Sequence, residues 1–253
     1  MEKAAWELFA KAREHYRKEI KKLQAKLPEL QALQQRLVDS RSTVLAGSAS
    51  YVVETPVVYN GALDDVHPGS DIRMILVADN PGRREQAAEN RRYLVGPSGK
   101  IAEKFFRDNP SMGIDFRANV IILNKSPIHT PRTAELKELC RLGGCGFEKA
   151  FDESQRLMAR LLPEFQQAFN NIPVWITGYS EMKKGGVFEV YTNELKALYD
   201  KSRHKNKIFM FRHFSMNQFT IDLKKQAVKG ETTVQTLERT GSAYRRRFLW
   251  DEE

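Results

Sequence analysis

Four short apolar runs limit what this chain can fold into: RMILVA at 73–78, NVIIL at 119–123, VWIT at 174–177 and IFMF at 208–211. Each run is continuous rather than alternating, so a strand made from it must be covered on both faces, as parallel strands between helices are. Apolar residues recur at helical spacing over 97–108, 133–162, 187–200, 215–228 and 232–249. Strand and helix in alternation predict an α/β fold, a three-layer α/β/α sandwich around a short, mainly parallel central sheet. Ahead of the first strand, residues 2–40 carry Trp6, Leu8, Phe9, Ile20, Leu23, Leu27, Leu30, Leu33 and Leu37 among Lys, Arg, Glu and Gln, with Pro28 marking a break. They read as an N-terminal helical extension over 1–42, preceding the α/β domain at 43–253.

Length and composition narrow the class. A chain of 253 residues holds one principal core. No run of about eighteen uncharged apolar residues occurs, and MEKAAWELFAKAREHYRKE lacks an apolar signal-peptide centre, so no membrane span and a cytoplasmic location are expected. Cys140 and Cys145 stand alone in CRLGGCG, with no second pair to complete a zinc or iron–sulfur set. Neither metal nor cofactor is expected, and the chain is expected to be a monomer. A net charge of +9 favours a polyanionic partner. There is no Walker loop, nucleotide-binding glycine fingerprint or nucleophile elbow.

In parallel sheets ligands bind beyond the carboxyl ends of the strands. Here the four ends read Asp79-Asn80-Pro81-Gly82, Asn124-Lys125-Ser126-Pro127, Thr177-Gly178-Tyr179-Ser180 and Arg212-His213-Phe214-Ser215. Brought to one crevice, they supply a carboxylate, two carboxamides, hydroxyls and an imidazole. Taken singly the residues have plainer readings. Asn80-Pro81-Gly82 is a good turn sequence, Asn124 can cap a loop, His129 suits a loop, and Tyr93, Trp175 and Phe211 suit a core.

The five segments ADNPG, LVGPSGKIAEKFF, IILNKSP, WITGYSEMKKGG and IFMFRHFSMNQF follow one another in the order found in the uracil-DNA glycosylase superfamily, which residues 55–228 resemble. The Asn-Pro-Gly form is similar to the mismatch-specific and single-strand-selective branches. The resemblance implies a DNA glycosylase that flips a pyrimidine out of the stack and hydrolyses its N-glycosidic bond, with DNA as partner. It implies that Asn80 positions the water and His213 donates to the pyrimidine O2; Asn80 holds the family position, and the adjoining Asp79 is the nearest candidate for general base or for stabilising the sugar cation. Asn124 would read the base edge. Gly82 and the Gly96-Pro97-Ser98-Gly99 turn would let backbone approach the ligand, Ser98 and Ser215 would hold phosphates, and Met216 would wedge into the vacated stack.

Some positions depart from the family pattern. Ala78 replaces a glycine, Phe214 replaces the proline after the closing His, and Leu94 stands where an aromatic stacks on uracil. Either Tyr93 takes over that stacking or the pocket is less flat. RREQAAENRRY, with four arginines, lengthens the loop before Leu94. The Leu94 replacement and this loop favour a glycosylase for a bulkier, modified pyrimidine, such as a modified cytosine in foreign DNA met in anti-phage defence, over a DNA repair glycosylase for uracil or a mismatched pyrimidine, which is the other enzyme reading. A DNA-binding module that has lost the reaction is the third reading.

Overall fold

The computed structural model describes residues 2–44 and 50–250. Strands β1 (Met74–Ala78), β2 (Val120–Asn124), β3 (Val174–Thr177) and β4 (Ile208–Phe211) form one all-parallel sheet in the order β2-β1-β3-β4. Every residue of β1, β2 and β3 is buried, as their continuous apolar character requires. Helices α1 (Lys3–Lys26), α2 (Leu30–Val44), α3 (Pro97–Asp108), α4 (Glu135–Ala168), α5 (Glu189–Tyr199), α6 (Gln218–Gln226) and α7 (Thr233–Arg245) complete the chain's main elements. This is the α/β sandwich that the alternation of runs predicts.

Two apolar layers cover the sheet. On one face Ile75, Val77, Ile121 and Leu123 pack with Phe9, Tyr16 and Ile20 of α1, Leu162 and Phe165 of α4, and Tyr191 and Leu195 of α5. On the other face Met74, Leu76, Val120 and Ile122 meet Phe105 and Phe106 of α3 and Phe219 of α6, with Trp175 and Phe211 beside them. The N-terminal helices therefore share the sheet's own core, and α1 lies along α4.

The two sheet edges are closed differently. At β4, α7 comes close because Gly241 carries no side chain; a Cβ there would stand 2.6 Å from the Phe211 ring. At β2, Asn60 Nδ2 donates to the Ile122 carbonyl at 2.8 Å, occupying part of the free edge. The helix expected over 133–162 differs in two respects. Gly144, at φ +64°, breaks it into two pieces, and its second piece runs through Pro163 to Ala168. The glycine permits a left-handed conformation that other residues disfavour.

Candidate active site

The site forms where β1, β2, β3 and β4 end, because parallel strands direct all four carboxyl ends to one side. Ala78 and Asn124 are register partners, and the Lys125 N–H donates to the Ala78 and Asp79 carbonyls at 2.9 and 3.0 Å. The ladder thus continues one step past the strands and fixes Asp79, Asn124 and Lys125 side by side.

Asp79 is buried and its carboxylate is held from several directions. Its Oδ1 accepts from Lys125 Nζ at 2.5 Å, and Thr133 Oγ1 stands 3.3 Å from its Oδ2. Gly178 closes a further side. It adopts φ +79°, and a Cβ on it would stand 2.5 Å from Asp79 Oδ1. Only a glycine satisfies both the backbone angle and the space.

Lys125 is fully buried, which makes it a member of the site that the sequence gives little reason to select. Besides Asp79, its ammonium donates to the Thr177 carbonyl at 2.5 Å and lies 5.1 Å from the Phe188 ring centre. Burial draws its proton affinity down, and the Asp79 carboxylate opposes that effect.

Asn80 is engaged at both ends of its carboxamide. Nδ2 donates to Thr130 Oγ1 at 2.8 Å, while Oδ1 accepts from Thr133 Oγ1 at 3.1 Å. Its oxygen keeps a second lone pair. The adjoining Pro81 carbonyl is clamped by His129, whose Nδ1 stands at 2.9 Å and whose Nε2 meets the Tyr51 hydroxyl at 2.8 Å. A carbonyl only accepts, so Nδ1 carries the proton and Nε2 accepts from Tyr51. Burial lowers the His129 pKa to about 4. His129 is therefore a neutral buried brace rather than an open loop residue.

His213 comes just after β4, with its ring half-buried. The Ser215 backbone N–H donates to its Nδ1 at 3.0 Å, and the Ser215 hydroxyl lies 2.8 Å from the same nitrogen. Because a backbone N–H can only donate, Nδ1 is the unprotonated nitrogen of the neutral ring and Nε2 carries the hydrogen. Burial lowers the proton affinity of His213; Asp79 raises it and Lys125 lowers it. A neutral imidazole with a free Nε2–H results. Phe214 has φ −69°, close to the angle a proline would fix, and its ring stacks on Phe219 at 4.3 Å between centres.

Asn124 lies on the sheet face of Val120 and Ile122, beside the cluster that contains Leu94. It is buried, and its Nδ2 finds no partner among the described residues. An unpaired buried amide is costly, and such an atom is a natural donor for something bound.

Leu94 is buried in that cluster at φ +52°, with its carbonyl accepting from Arg117 Nη2 at 2.8 Å. Beside it, Glu85 is buried under the start of α3 and accepts from the Gly82 N–H at 2.9 Å. Burial raises the Glu85 pKa to about 7, against the pull of the backbone N–H groups of Gly82, Leu94, Gly96 and Val95. A Cβ on Gly82 would meet nothing within 4 Å, so that residue borders open space.

Several expected site residues take other positions. Tyr93 faces the core, 1 % exposed, with its hydroxyl donating to the Val58 carbonyl at 2.7 Å, so it offers no ring to a base. Ser215 is turned towards His213 rather than towards a phosphate. Gly99 serves the approach of α3 to the Leu94 carbonyl, which would lie 1.5 Å from a Cβ, rather than the approach of a ligand. Ser98 stands half-buried in the first turn of α3. Met216 is 76 % exposed at φ +52°, at the tip of the loop after His213.

A cavity of about 760 Å³ opens beyond Val95, lined by Tyr51, Glu54, Arg83, Arg84, Gln86 and Asn90. The Arg83 guanidinium lies 4.8 Å from the Tyr51 ring centre. Lys183 and Lys184 are exposed in the loop after β3, on the same side of the sheet. Among the described residues no group of three or more His, Cys, Asp or Glu side chains converges as a metal set, and no helix is long and apolar enough to cross a membrane. No family model matches this sequence, and no curated protein matches it.

Proposed function

We propose that the chain is a DNA N-glycosylase acting on a pyrimidine flipped out of the stack. The observation that carries this reading is the buried Asn124 Nδ2, unpartnered among the described residues, at the same set of strand ends as a neutral His213 whose Nε2 carries the hydrogen and a buried carboxylate at Asp79. A pyrimidine edge supplies acceptors for the first two, and a sugar developing positive charge suits the third. In the reaction the C1′–N1 bond breaks and its electron pair leaves on the base. His213 donates a hydrogen bond to O2 as charge gathers there. Water forms the new C1′–O bond, oriented by Asn80 Oδ1, and gives its proton to Asp79; the base anion then takes up a proton.

The basic side chains around the site suit DNA as the partner: Arg83, Arg84, Lys183 and Lys184 are exposed on the side where the strands end. Met216, exposed and held in a left-handed conformation at the mouth, fits the role of the wedge that replaces the flipped base. The cavity beyond Val95 favours a pyrimidine carrying a bulky substituent over plain uracil, since Leu94 supplies an aliphatic rather than an aromatic floor.

The test is base release, measured by mass spectrometry, from a panel of unmodified, uracil-containing and modified-cytosine DNA. The expected result is release of one pyrimidine, abolished by His213→Ala and by Asn80→Ala with DNA affinity largely kept. Equal loss of binding in both variants would point to structural roles. Absence of release from every DNA would favour a binding module.

A further inference from the structure

The buried cation at Lys125 takes no part in the base-release steps, yet it is the residue most tightly joined to Asp79. Burying an ammonium and a carboxylate together is costly, and the cost is met only when geometry and additional hydrogen bonds are good. Here they are: Lys125 Nζ donates to Asp79 Oδ1 and to the Thr177 carbonyl, both at 2.5 Å. Both acceptors lie at the carboxyl ends of strands, and Lys125 itself comes directly after the last residue of β2. The ammonium thus ties β1, β2 and β3 together directly beneath the site.

The contacts on the two neighbouring residues divide the work of handling water. Asn80 spends its Nδ2 on Thr130 and one lone pair of its Oδ1 on Thr133. A carboxamide can orient water but cannot take its proton, whereas a carboxylate can do both. Asp79 can act so only while ionised and held in one orientation. Every element packed on it bears on that. Lys125 faces it from the end of β2, Thr133 from the start of the α4 segment, Gly178 from the end of β3, and His213 from the end of β4. Glu181 faces Lys125 from beyond β3. Among these groups Lys125 is the one whose nitrogen directly contacts the carboxylate.

We propose that Lys125 is a positioning residue that fixes the orientation of the Asp79 carboxylate, so that Asp79, rather than Asn80, accepts the proton of the attacking water. This rests on the glycosylase reading. Lys125 makes no contact with DNA or base in this assignment; it acts through Asp79 alone.

The test compares Lys125→Met, Asp79→Asn and the double variant in single-turnover base release across pH, with DNA affinity measured alongside. Lys125→Met is expected to lower kcat by about 100-fold with KM unchanged. Its pH profile should differ from that of the wild type, because the buried ammonium in contact with the carboxylate is gone. Asp79→Asn and the double variant should share one residual rate, since Lys125 has nothing further to contribute when the carboxylate is absent. Lys125→Met with the wild-type kcat and pH profile would overturn the proposal. So would a double variant at least about tenfold slower than Asp79→Asn, because Lys125 would then act by another route. If Lys125→Met does not fold, the second comparison decides, because the double variant removes both buried charges together. If the wild-type protein releases no base, the glycosylase reading fails, and the pair is judged by carboxyl carbon NMR instead. An Asp79 carboxyl carbon whose chemical shift moves in Lys125→Met supports the pairing role, and an unchanged shift overturns it.

Discussion

The contact between Gly99 and Leu94 allows a prediction with a worked magnitude. In Gly99→Ala the new Cβ would stand 1.5 Å from the Leu94 carbonyl oxygen, 2.3 Å from its carbon and 3.0 Å from its Cα. Ordinary contact needs about 3.5 Å, so α3 and the Leu94 backbone must separate by about 2 Å. Neither side is free to give. The helix is anchored by buried Phe105 and Phe106, and the Leu94 carbonyl is fixed by Arg117 Nη2 at 2.8 Å. Overpacking of this kind costs about 1–3 kcal/mol, and losing a hydrogen bond to a charged donor adds about 1.5–3 kcal/mol, so a total of about 4 kcal/mol is expected. For a chain of this size that corresponds to a Tm lower by about 8–16 °C. If the displaced residue floors the base pocket, as the glycosylase proposal has it, base release by the surviving folded protein should fall by about 100-fold or more. Thermal melting, with base release measured well below the transition, checks both. A Tm within about 2 °C of wild type, with activity kept, would refute the claim that the Leu94 backbone is pinned.

Three further perturbations address separate parts of the site. Gly178→Ala places a Cβ 2.5 Å from Asp79 Oδ1 at a φ of +79°, so it should cost about 1–2 kcal/mol in stability and lower base release by about 100-fold, separable by melting and single-turnover kinetics. His129, with its pKa lowered to about 4, stays neutral in the folded protein where the unfolded chain binds a proton. Its contribution is therefore complete above about pH 6.5 and is lost as pH falls towards 4, amounting to about 3 kcal/mol. His129→Gln should flatten stability against pH in that window, as measured by denaturant titration, and an unchanged slope would argue against the buried neutral ring. Replacing Arg83 and Arg84 by Ala should make the salt dependence of DNA affinity shallower by about 1.4 for single strands or about 1.8 for duplex, read from binding titrations at several salt concentrations. An unchanged slope would remove both arginines from the phosphate contacts.

The fold was legible because its strands are buried on both faces and so appear as unbroken apolar runs, with no partner needed to recognise them. The strand ends were legible for the same reason: once the runs are parallel, the residues at their carboxyl ends must converge. Side-chain partnerships across the sheet were not. Lys125 sits after an Asn in NKSP and reads as a loop lysine, because its burial is set by Asp79, 46 residues away in sequence. Ser215 reads as a phosphate ligand, and only the loop's conformation turns it onto His213. Phe214 reads as the loss of a proline's fixed angle, whereas its φ is −69° and its ring stacks on Phe219. The glycine pair in CRLGGCG did carry a signal for the break at Gly144 within α4, masked by the apolar period on either side.

The N-terminal helices illustrate the same limit in a way that bears on the site. Their charged, leucine-bearing sequence suggests an appendage, but Tyr16 of α1 is fully buried and its hydroxyl lies 2.5 Å from that of Tyr93. Tyr93 donates onwards to the Val58 carbonyl, so the arrangement is a chain in which Tyr16 donates to Tyr93 and Tyr93 to the backbone. Burial raises the proton affinity of both phenols, which favours the hydroxyl forms that this chain needs. Tyr93 precedes Leu94, the floor in the proposed reading, whose backbone is left-handed. A helix from the start of the chain therefore fixes the residue before the floor, Arg117 fixes the floor's carbonyl, and Glu85 gathers the amides just beyond it. Three contacts from three distant parts of the sequence hold a strained conformation that local propensity alone would not keep.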